Sequence, residues 1–233
     1  MYIEAIKERH SVRTYKEQKI EDETRVLLEK KIQELNEKGN LHLQFMEDAD
    51  NVYNKLLNKA VGLGSCPSYI ACIGKEADDL DERIGYYGQI LVLYAQSLGL
   101  NTCWVGTFNR KKVKASIADH EKLVITIAIG YGKNQGRVRK SKTFDDVAEV
   151  AEVTEAAKSE LAGKDQIPAW FRNGVECALL APTAINQQKF KIRLNSDGKY
   201  EIIDKGGIYS KVDLGIVRCN FEIGAGLLNA DQL

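Results

Sequence analysis

Apolar residues recur at helical spacing in two long stretches of the N-terminal part of the chain. The stretch 19–36 has one apolar face and a stop at Gly39, which predicts an amphipathic helix. A second stretch begins at Asp78 or Asp81 and continues through Leu98, and it is apolar on most of its circumference, as is typical of a helix in the core or at a large interface. Shorter patterns predict helices at 2–9, 50–60 and 110–117, strands at 41–45, 69–73 and 123–129, and a turn at 102–106.

The C-terminal part of the chain shows a similar order of elements. Pro168 is well placed to begin a helix, and Pro182 follows the end of that helix. A hairpin with an Asp-Gly turn comes next, and 213–228 has the pattern of a final amphipathic helix. The order helix, strand, connection, strand, long helix therefore occurs twice, at 20–99 and at 168–228.

The two occurrences of this order are complementary, since each contains strings that the other lacks. Gly85 and Gly215 each open the long helix of their half. Residues 145–165 are rich in Ala, Glu and Val and contain no aromatic residue, so we interpret them as a helical linker across the surface. We therefore divide the chain into a first half at 1–144, a linker at 145–166 and a second, shorter half at 167–233.

Composition excludes several classes of protein. At 233 residues the chain can form one sizeable core, either as a single domain or as two closely packed halves. Its 33 Lys and Arg residues balance its 33 Asp and Glu residues, which argues against nucleic acid as a main partner. The sequence has no signal-peptide pattern and no apolar run near the roughly 18 residues that span a bilayer, so we expect no membrane partner and a cytoplasmic location. Five scattered cysteines without a CxxC pair predict reduced thiols, and the three histidines show no metal-ligand spacing.

The first candidate for ligand chemistry is the string Arg9-His10-Ser11-Val12-Arg13, at the end of the first predicted helix. In an extended stretch, residues two apart point to the same side, so Arg9, Ser11 and Arg13 would face one ligand. Two guanidinium groups that flank a hydroxyl suit a terminal phosphate, because arginine donates two parallel hydrogen bonds. Solvated charges on an amphipathic helix would give the same string.

The second candidate is the string Ala-Pro-Thr-Ala-Ile-Asn-Gln-Gln at 181–188. Pro182 ends the preceding helix, and the small residues after it let the backbone approach a flat ligand. Asn186 offers both a donor and an acceptor, as the pyrimidine edge or the ribityl chain of a flavin requires. The alternative is a polar helix-to-strand turn in which Asn186 satisfies backbone groups.

Two further segments carry weaker signals. At 98–106, the long helix ends in a small-residue turn before Gly106, where backbone N–H groups could stabilise the negative charge that grows on a flavin ring during reduction. A helix cap with Trp104 in the core is the alternative. A basic cluster follows the last strand of the first half: Arg137, Arg139, Lys140 and Lys142. The part at 140–142 either folds back as a second phosphate clamp or forms a solvated face.

Together these strings resemble the FMN-dependent nitroreductase family, and more narrowly its divergent "putative TM nitroreductase" branch, in which one chain contains two related halves. In the wider family the two ligand-binding strings usually follow one another and reach one flavin from two subunits. The resemblance implies an α+β fold with a mixed or antiparallel sheet flanked by helices, in two pseudo-symmetric halves that mimic the family dimer. The matching segments are 9–13, 84–89, 98–106, 129–131, 181–188 and 213–216.

The resemblance also implies roles for individual residues. Arg9, Ser11 and Arg13 would hold the phosphate and ribityl chain of FMN. Lys140 or Lys142 would assist them. The second half would line the flavin ring with Pro182, Thr183, Ala184 and Asn186, while the first half would bring backbone near flavin N5 at Val105 and Gly106. The complete predicted cofactor-binding set is Arg9, His10, Ser11, Arg13, Trp104, Val105, Gly106, Lys140, Lys142, Pro182, Thr183, Ala184, Asn186 and Gln188.

This chain departs from the family pattern at two places. Gln188-Lys189-Phe190 stands where the family often has Gln-Pro-Trp, which affects the entry into the following strand. Val105 stands where some members carry Glu, so contacts to the nicotinamide or to the substrate would differ.

The implied activity is a two-step oxidoreduction in which NAD(P)H delivers a hydride to flavin N5 and leaves, and a small acceptor such as a nitroaromatic or a quinone then takes the electrons. No side chain need act as an acid or a base, so no catalytic residue is predicted. A flavin-binding module without turnover is the competing hypothesis, and flavin destruction or reductive dehalogenation are alternatives within the superfamily. Because the chain has one complete set of elements, we predict one FMN per chain and a competent monomer, with a homodimer as the alternative.

Overall fold

Two β-sheets organise the part of the chain that the computed structural model describes, residues 2–49, 52–53, 63, 66–151 and 167–228. The first sheet contains Gln44–Glu47 (β1), Ser68–Lys75 (β2), Asn101–Val105 (β3) and Glu121–Gly130 (β4). It is antiparallel throughout, with the strand order β1-β2-β4-β3. The second sheet contains Ala148–Val150 (β5), Phe190–Leu194 (β6) and Tyr200–Asp204 (β7). In it, β6 is antiparallel to β7 and parallel to β5.

Helices flank both sheets. Within the described residues they are Tyr2–Glu8 (α1), Asp22–Gly39 (α2), Leu80–Ser97 (α3), Phe144–Val147 (α4), Ala169–Leu179 (α5) and Ser210–Gly224 (α6). Short 3₁₀ turns occur at Arg110–Lys112 and Ala184–Asn186. This arrangement confirms the predicted α+β class, with a largely antiparallel sheet flanked by helices.

The two long helices α3 and α6 cross in the core at a pair of glycines. Gly85 of α3 lies against the carbonyl of Val212, and Gly215 of α6 lies against the carbonyl of Glu82. Each glycine is the sixth residue of its helix. Glu82 lies three positions before Gly85, and Val212 lies three positions before Gly215, so the two contacts are reciprocal. A Cβ on either glycine would overlap the opposing backbone, so this close crossing requires glycine on both helices.

A buried chain of hydrogen bonds also joins the two halves. The indole Nε1 of Trp104 donates to Gln89 Oε1 at 3.4 Å, and Gln89 Nε2 donates to Asn220 Oδ1 at 2.9 Å. Asn220 Nδ2 in turn donates to the carbonyl of Cys177 at 3.0 Å. Gln89 and Asn220 are completely buried, and unpaired amides would be costly there. The chain therefore fixes the relative positions of β3, α3, α6 and α5.

One apolar core extends through both halves. Its buried residues come from both sequence regions and include Ile6, Leu28, Leu93, Ile127, Phe171, Ile192 and Phe221. A second cluster packs on the other face of the first sheet, around Tyr15 and Tyr69. The described residues of 1–144 and of 167–228 thus share one core.

The structure corrects several local predictions. The turn predicted at 102–106 is largely strand β3, because its Thr, Cys, Trp and Val residues favour extended backbone and pair with β4. The helix predicted at 110–117 is reduced to a 3₁₀ turn at Arg110–Lys112. Helix α2 continues through Gly39, which packs against the ring of Tyr87, and Asn40 caps it with a φ of 47°.

The predicted helical linker at 145–165 also begins differently. Helix α4 ends at Val147, and β5 follows at once, because its backbone groups pair with the open edge of β6. Most of the predicted helix at 50–60, most of the linker and the last five residues of the chain lie outside the described residues. None of the described helices combines the length and the apolar character that crossing a membrane requires.

Candidate functional site

The first candidate string leaves α1 and runs alongside β3. Ser11 forms a parallel β-bridge with Thr102, and the N–H of Val12 donates to the Thr102 carbonyl at 3.1 Å. The chain is therefore extended from Ser11 onward, which is the geometry that places alternate side chains on one side. Strand β3, predicted to be a turn, is the element that positions this string.

Three guanidinium groups and a hydroxyl act on Cys103, a buried residue of β3. Burial raises the pKa of the Cys103 thiol, and Arg13, Arg9, Arg139 and Ser11 act against this shift. We call Arg9, Arg13 and Arg139 the cation cluster, because all three charges lie near enough to this thiol to affect its pKa.

Arg9 is the most deeply buried member of the cation cluster. Its side chain is only 9% exposed, and its Nε has no hydrogen-bond partner among the described residues. Burial lowers the pKa of Arg9 to about 10, with a further decrease from Arg139 and an opposing effect of the Cys103 thiol. The described groups that shift this pKa include no carboxylate. A buried cation without a counter-ion costs several kcal/mol, and a bound anion would remove that cost.

The other two members lie closer to solvent. Arg13 Nη1 donates to the carbonyl of Ser11 at 3.3 Å. Burial and then repulsion from Arg13 lower the pKa of Arg139. The connection that carries Arg139 lies against the first string at Gly136, where φ is 81° and a Cβ would be 2.9 Å from the Cβ of His10. The close approach of these two segments therefore brings the third cation to the cluster.

The predicted phosphate ligands Lys140 and Lys142 are engaged with the second half instead. Lys142 Nζ donates to the carbonyl of Gln188 at 2.6 Å, and the carbonyl of Lys140 accepts from Asn186 Nδ2 at 3.0 Å. Arg139, which belongs to the same basic segment, takes the place at the cluster that we expected for a lysine. The segment 136–142 therefore contacts both candidate strings, the first at Gly136 and the second at Lys140 and Lys142. A role for Lys140 and Lys142 at a phosphate stays a prediction.

The second candidate string forms a tight loop at 183–188, which we call the amide loop. Its N–H groups bond within the loop: Gln188 N donates to Thr183 Oγ1 at 3.0 Å, and Asn186 N donates to the Thr183 carbonyl at 2.9 Å. Ile185, Asn186 and Gln188 have φ values of 46°, 59° and 43°. Left-handed backbone costs about 1–2 kcal/mol per non-glycine residue and is found preferentially at functional sites. Ile185 is also 79% exposed, so a strained apolar residue points outward.

Gln188 is an anchor of the amide loop. Its side chain is only 4% exposed. Its Oε1 accepts from the backbone N–H of Lys142 at 3.0 Å, and its Nε2 donates to Ser141 Oγ and to the carbonyl of Leu179, both at 3.1 Å. These bonds use both amide hydrogens and one lone pair of Oε1, so Gln188 holds the loop against 141–142 and the end of α5. A contact of Gln188 with a cofactor stays a prediction.

The end of β3 meets the second half at Gly106. The hydroxyl of Tyr209 donates to the carbonyl of Gly106 at 2.7 Å, and the Tyr209 ring lies where a Cβ of Gly106 would be. Val105 is buried, and the Trp104 ring packs on Gly88, where a Cβ would be 2.5 Å from the indole. The three predicted residues at 104–106 are thus held rigidly, Trp104 by α3 and Gly106 by the start of α6.

Asp213, in the first turn of α6, holds the amide loop. Its carboxylate accepts from the backbone N–H of Ala184 at 3.0 and 3.1 Å and from Gln187 Nε2 at 2.8 Å. Burial raises the pKa of Asp213 to about 6; the bonds from Gln187 and Ala184 act against this shift, and Asp204 adds to it. Pro182, partly buried, precedes the loop after the end of α5.

Sequence reasoning missed both Tyr209 and Asp213 as functional candidates. Asp213 left a detectable signal, since it is an acidic residue at the start of an otherwise apolar helical pattern. Tyr209 left none, because its partner Gly106 is 103 positions away in the chain.

Comparisons with known proteins agree with this fold. The sequence model of the family described as "Putative TM nitroreductase" matches residues 2–225. A solved structure described as a putative nitroreductase from Thermotoga maritima is 23% identical, with a TM-score of 0.62, over 96% of this chain and 82% of that chain. A nitroreductase family protein from Streptococcus pneumoniae is 13% identical, with a TM-score of 0.51, over 64% of this chain and 99% of that chain. An FMN-dependent nitroreductase from Clostridium difficile is 21% identical, with a TM-score of 0.44, over 62% of this chain and 94% of that chain. No curated protein matches the chain.

The fold is therefore that of the nitroreductase-like α+β proteins. Because the family match extends over nearly its whole length, the chain belongs to the "Putative TM nitroreductase" family.

Proposed function

We propose that this protein is an FMN-dependent oxidoreductase that passes a hydride from NAD(P)H, by way of flavin N5, to a small acceptor such as a nitroaromatic or a quinone. The observation that carries the proposal is the cation cluster, in which Arg9 is buried with no acceptor for its Nε among the described residues. The segment that carries Arg139 also contacts the amide loop, at Lys140. Membership of a nitroreductase family makes a flavin nucleotide the expected group between these two regions.

The residues at the site fit both ends of FMN. The three guanidinium groups of the cation cluster offer many donors and no acceptor, which matches a terminal phosphate. At the other end, Asn186 donates from Nδ2 to the carbonyl of Lys140, which leaves its Oδ1 to accept from an N–H of the flavin pyrimidine edge. The small residues Thr183 and Ala184 leave room for a flat ring beside the loop backbone.

The chain's own residues then bind and orient the cofactor. Arg9, Arg13 and Arg139 neutralise the phosphate and fix one end of the molecule. The amide loop fixes the ring edge, and the backbone at Val105 and Gly106 lies near N5 in our proposal. A bound FMN supplies the chemistry itself, since its N5 accepts a hydride and returns it. For this reason the reaction needs no acid–base pair from the protein.

We also propose one FMN per chain, with the two halves of a single chain acting as the two subunits do in the wider family. The reciprocal glycine contacts between α3 and α6 support this, as does the joint core. The match to the Streptococcus protein covers 99% of that chain but only 64% of this one. This is expected if this chain contains a second, shorter half in addition to one nitroreductase-like half.

An anaerobic titration of the FMN-loaded protein with NADH and with NADPH tests the proposal. We expect a yellow protein with one flavin per chain, whose oxidised absorption band is lost on addition of one of the two reductants and regained when a quinone or nitroaromatic is added. A flavin that stays oxidised under excess reductant would instead identify a flavin-binding module without turnover. A protein that takes up no FMN would refute the proposal, and one flavin per two chains would refute the single-chain site.

A further inference from the structure

The first turn of α6 contacts both segments that our proposed function places at the flavin ring. Tyr209 precedes the helix, and its hydroxyl holds the carbonyl of Gly106 at 2.7 Å. Asp213 follows one turn later and holds the N–H of Ala184 and the amide of Gln187. A backbone bond of the first helical turn joins the two residues, since the N–H of Asp213 donates to the carbonyl of Tyr209 at 2.9 Å.

Both residues have features that lower the stability of the folded protein. Tyr209 has a φ of 53°, a left-handed conformation that is unfavourable for a tyrosine. Asp213 is a buried carboxylate whose described partners are an N–H group and a neutral amide, with Asp204 as its charged neighbour. Buried charges without a cation usually lower stability, so their presence is typical of a site with a task.

A further bond completes the connection between this turn and the amide loop. Gln187 Nε2 also donates to the carbonyl of Ile208, at 2.9 Å. The side chain of Gln187 packs on Gly207, where φ is 122° and a Cβ would meet Gln187 Cδ at 2.9 Å. The segment 207–213 therefore contacts the amide loop at several points and the end of β3 at one.

We propose that Tyr209 and Asp213 are positioning residues that keep the end of β3 and the amide loop at a fixed separation, and so set the width of the space for the flavin ring. This inference rests on the proposed function. Tyr209 acts on the segment from the first half, and Asp213 acts on the segment from the second. Loss of either bond loosens one wall of that space while the cation cluster stays intact.

The test uses Tyr209→Phe, which removes the hydroxyl and keeps the ring, and Asp213→Asn, which keeps the shape and removes the charge. Matched controls are Tyr200→Phe, whose hydroxyl bonds Glu222, and Asp197→Asn, whose carboxylate accepts from the N–H of Lys199 in the hairpin turn. We expect both test variants to bind FMN and riboflavin about tenfold more weakly, as the loss of one good hydrogen bond predicts. Their affinity for inorganic phosphate should stay unchanged, which shows that the cation cluster is still folded.

The bound flavin gives a readout that general destabilisation would not change. If the end of β3 and the amide loop are held less firmly, their hydrogen-bond donors stabilise the reduced flavin less. The reduction potential of the bound flavin should therefore become more negative in both test variants and in neither control. Hydrogen exchange at the Ala184 amide of the flavin-free protein should accelerate in Asp213→Asn and not in Tyr209→Phe.

Two outcomes would overturn the inference in distinguishable ways. Wild-type affinity and potential in both test variants would show that the two residues do not position the ring, although the protein binds flavin. If the wild-type protein binds no flavin, the proposed function fails and this inference fails with it, whatever the exchange data show about the loop.

Discussion

The cation cluster and the amide loop are both polar, yet they satisfy their polar groups in opposite ways. In the loop, backbone N–H groups and side-chain amides are paired with Thr183, Asp213 and the connection at 140–142. In the cluster, Arg9 lies buried, its Nε has no hydrogen-bond partner among the described residues, and its charged neighbour Arg139 repels it. These donors of the loop are thus paired within the protein, whereas a bound anion would compensate the buried charge of the cluster.

This difference predicts which end of the cofactor contributes most of the binding free energy and which end determines the position of the flavin ring. A phosphate at the cluster would compensate the buried charge of Arg9, and this favourable free energy is obtained only when the cofactor binds. The loop loses little on binding because it is already ordered, so it limits where the ring can lie. Mutations at the two regions should therefore change different quantities.

The largest effect is expected where the two regions are held together. In Gly215→Ala, the new Cβ would overlap the carbonyl of Glu82 and force α3 and α6 apart, which we expect to cost about 4 kcal/mol or more of unfolding free energy and to abolish FMN binding. Gly226→Ala is the control, since it has open space and a φ of 69° and should cost about 1 kcal/mol. Urea denaturation followed by circular dichroism measures both. Equal losses of unfolding free energy in Gly215→Ala and Gly226→Ala would show that α3 and α6 can move apart without destabilising the protein.

The second prediction concerns the cation cluster alone. Arg9→Met should weaken FMN binding about 100-fold, leave riboflavin binding unchanged, and stabilise the flavin-free protein, because it removes a buried charge that lacks a partner. Arg137→Met, in the exposed part of the same basic segment, should do none of these. Fluorescence titration with the two flavins and thermal denaturation provide the measurements. A parallel loss of riboflavin affinity would place Arg9 at the ring instead of the phosphate.

The third prediction concerns the pH dependence of the loop anchor. The pKa of Asp213 is raised to about 6 in the folded state, so the folded protein binds more protons than the unfolded chain between about pH 4 and that value. Its contribution to stability is present below the unfolded pKa and is lost as the pH rises through the folded pKa. Relative to Asp213→Asn, the wild-type free energy of unfolding should therefore fall by about 2 kcal/mol between about pH 4 and about pH 7. Parallel stability curves for the two proteins would contradict the assignment of that pKa.

The smallest effect is expected from strain in the amide loop. Ile185→Asn replaces a β-branched residue at a φ of 46° by one that tolerates left-handed backbone, and should stabilise the flavin-free protein by about 1 kcal/mol. Ile208→Asn is the control, because Ile208 is also exposed but has no left-handed backbone. Calorimetry would detect the difference in melting temperature. If both variants behave alike, exposure and not backbone strain determines the effect.

Much of the fold followed from local patterns. The helices α3 and α6, the hairpin of β6 and β7 and the buried strand β2 were predicted because periodicity and turn residues are properties of short segments. The predictions for β3 and β5 were wrong for the opposite reason. Each is a short segment that becomes a strand because a partner lies beside it, β4 in one case and β6 in the other.

The candidate site shows the same division. The strings at 9–13 and 181–188 were recognised because their residue types suit a phosphate and a flat ring, and because they resemble segments of a known family. The third cation could not be chosen from the sequence, since Arg139 and Lys140 are neighbours and their surroundings depend on how 136–142 packs against distant parts of the chain. Tyr209 acquires its place from a bond to Gly106 that no local pattern encodes.

The sequence by itself determined that this chain carries a phosphate-type string at one end and an amide-type string at the other, because charge, hydrogen-bonding groups and small size are fixed by residue identity. The tertiary structure alone decided that the two parts of the chain that carry these strings pack together, with the connection 136–142 touching the first string at His10 and the second at Asn186. It does so through the crossing of α3 and α6 at Gly85 and Gly215, where packing free energy depends on the shapes of two distant segments at once.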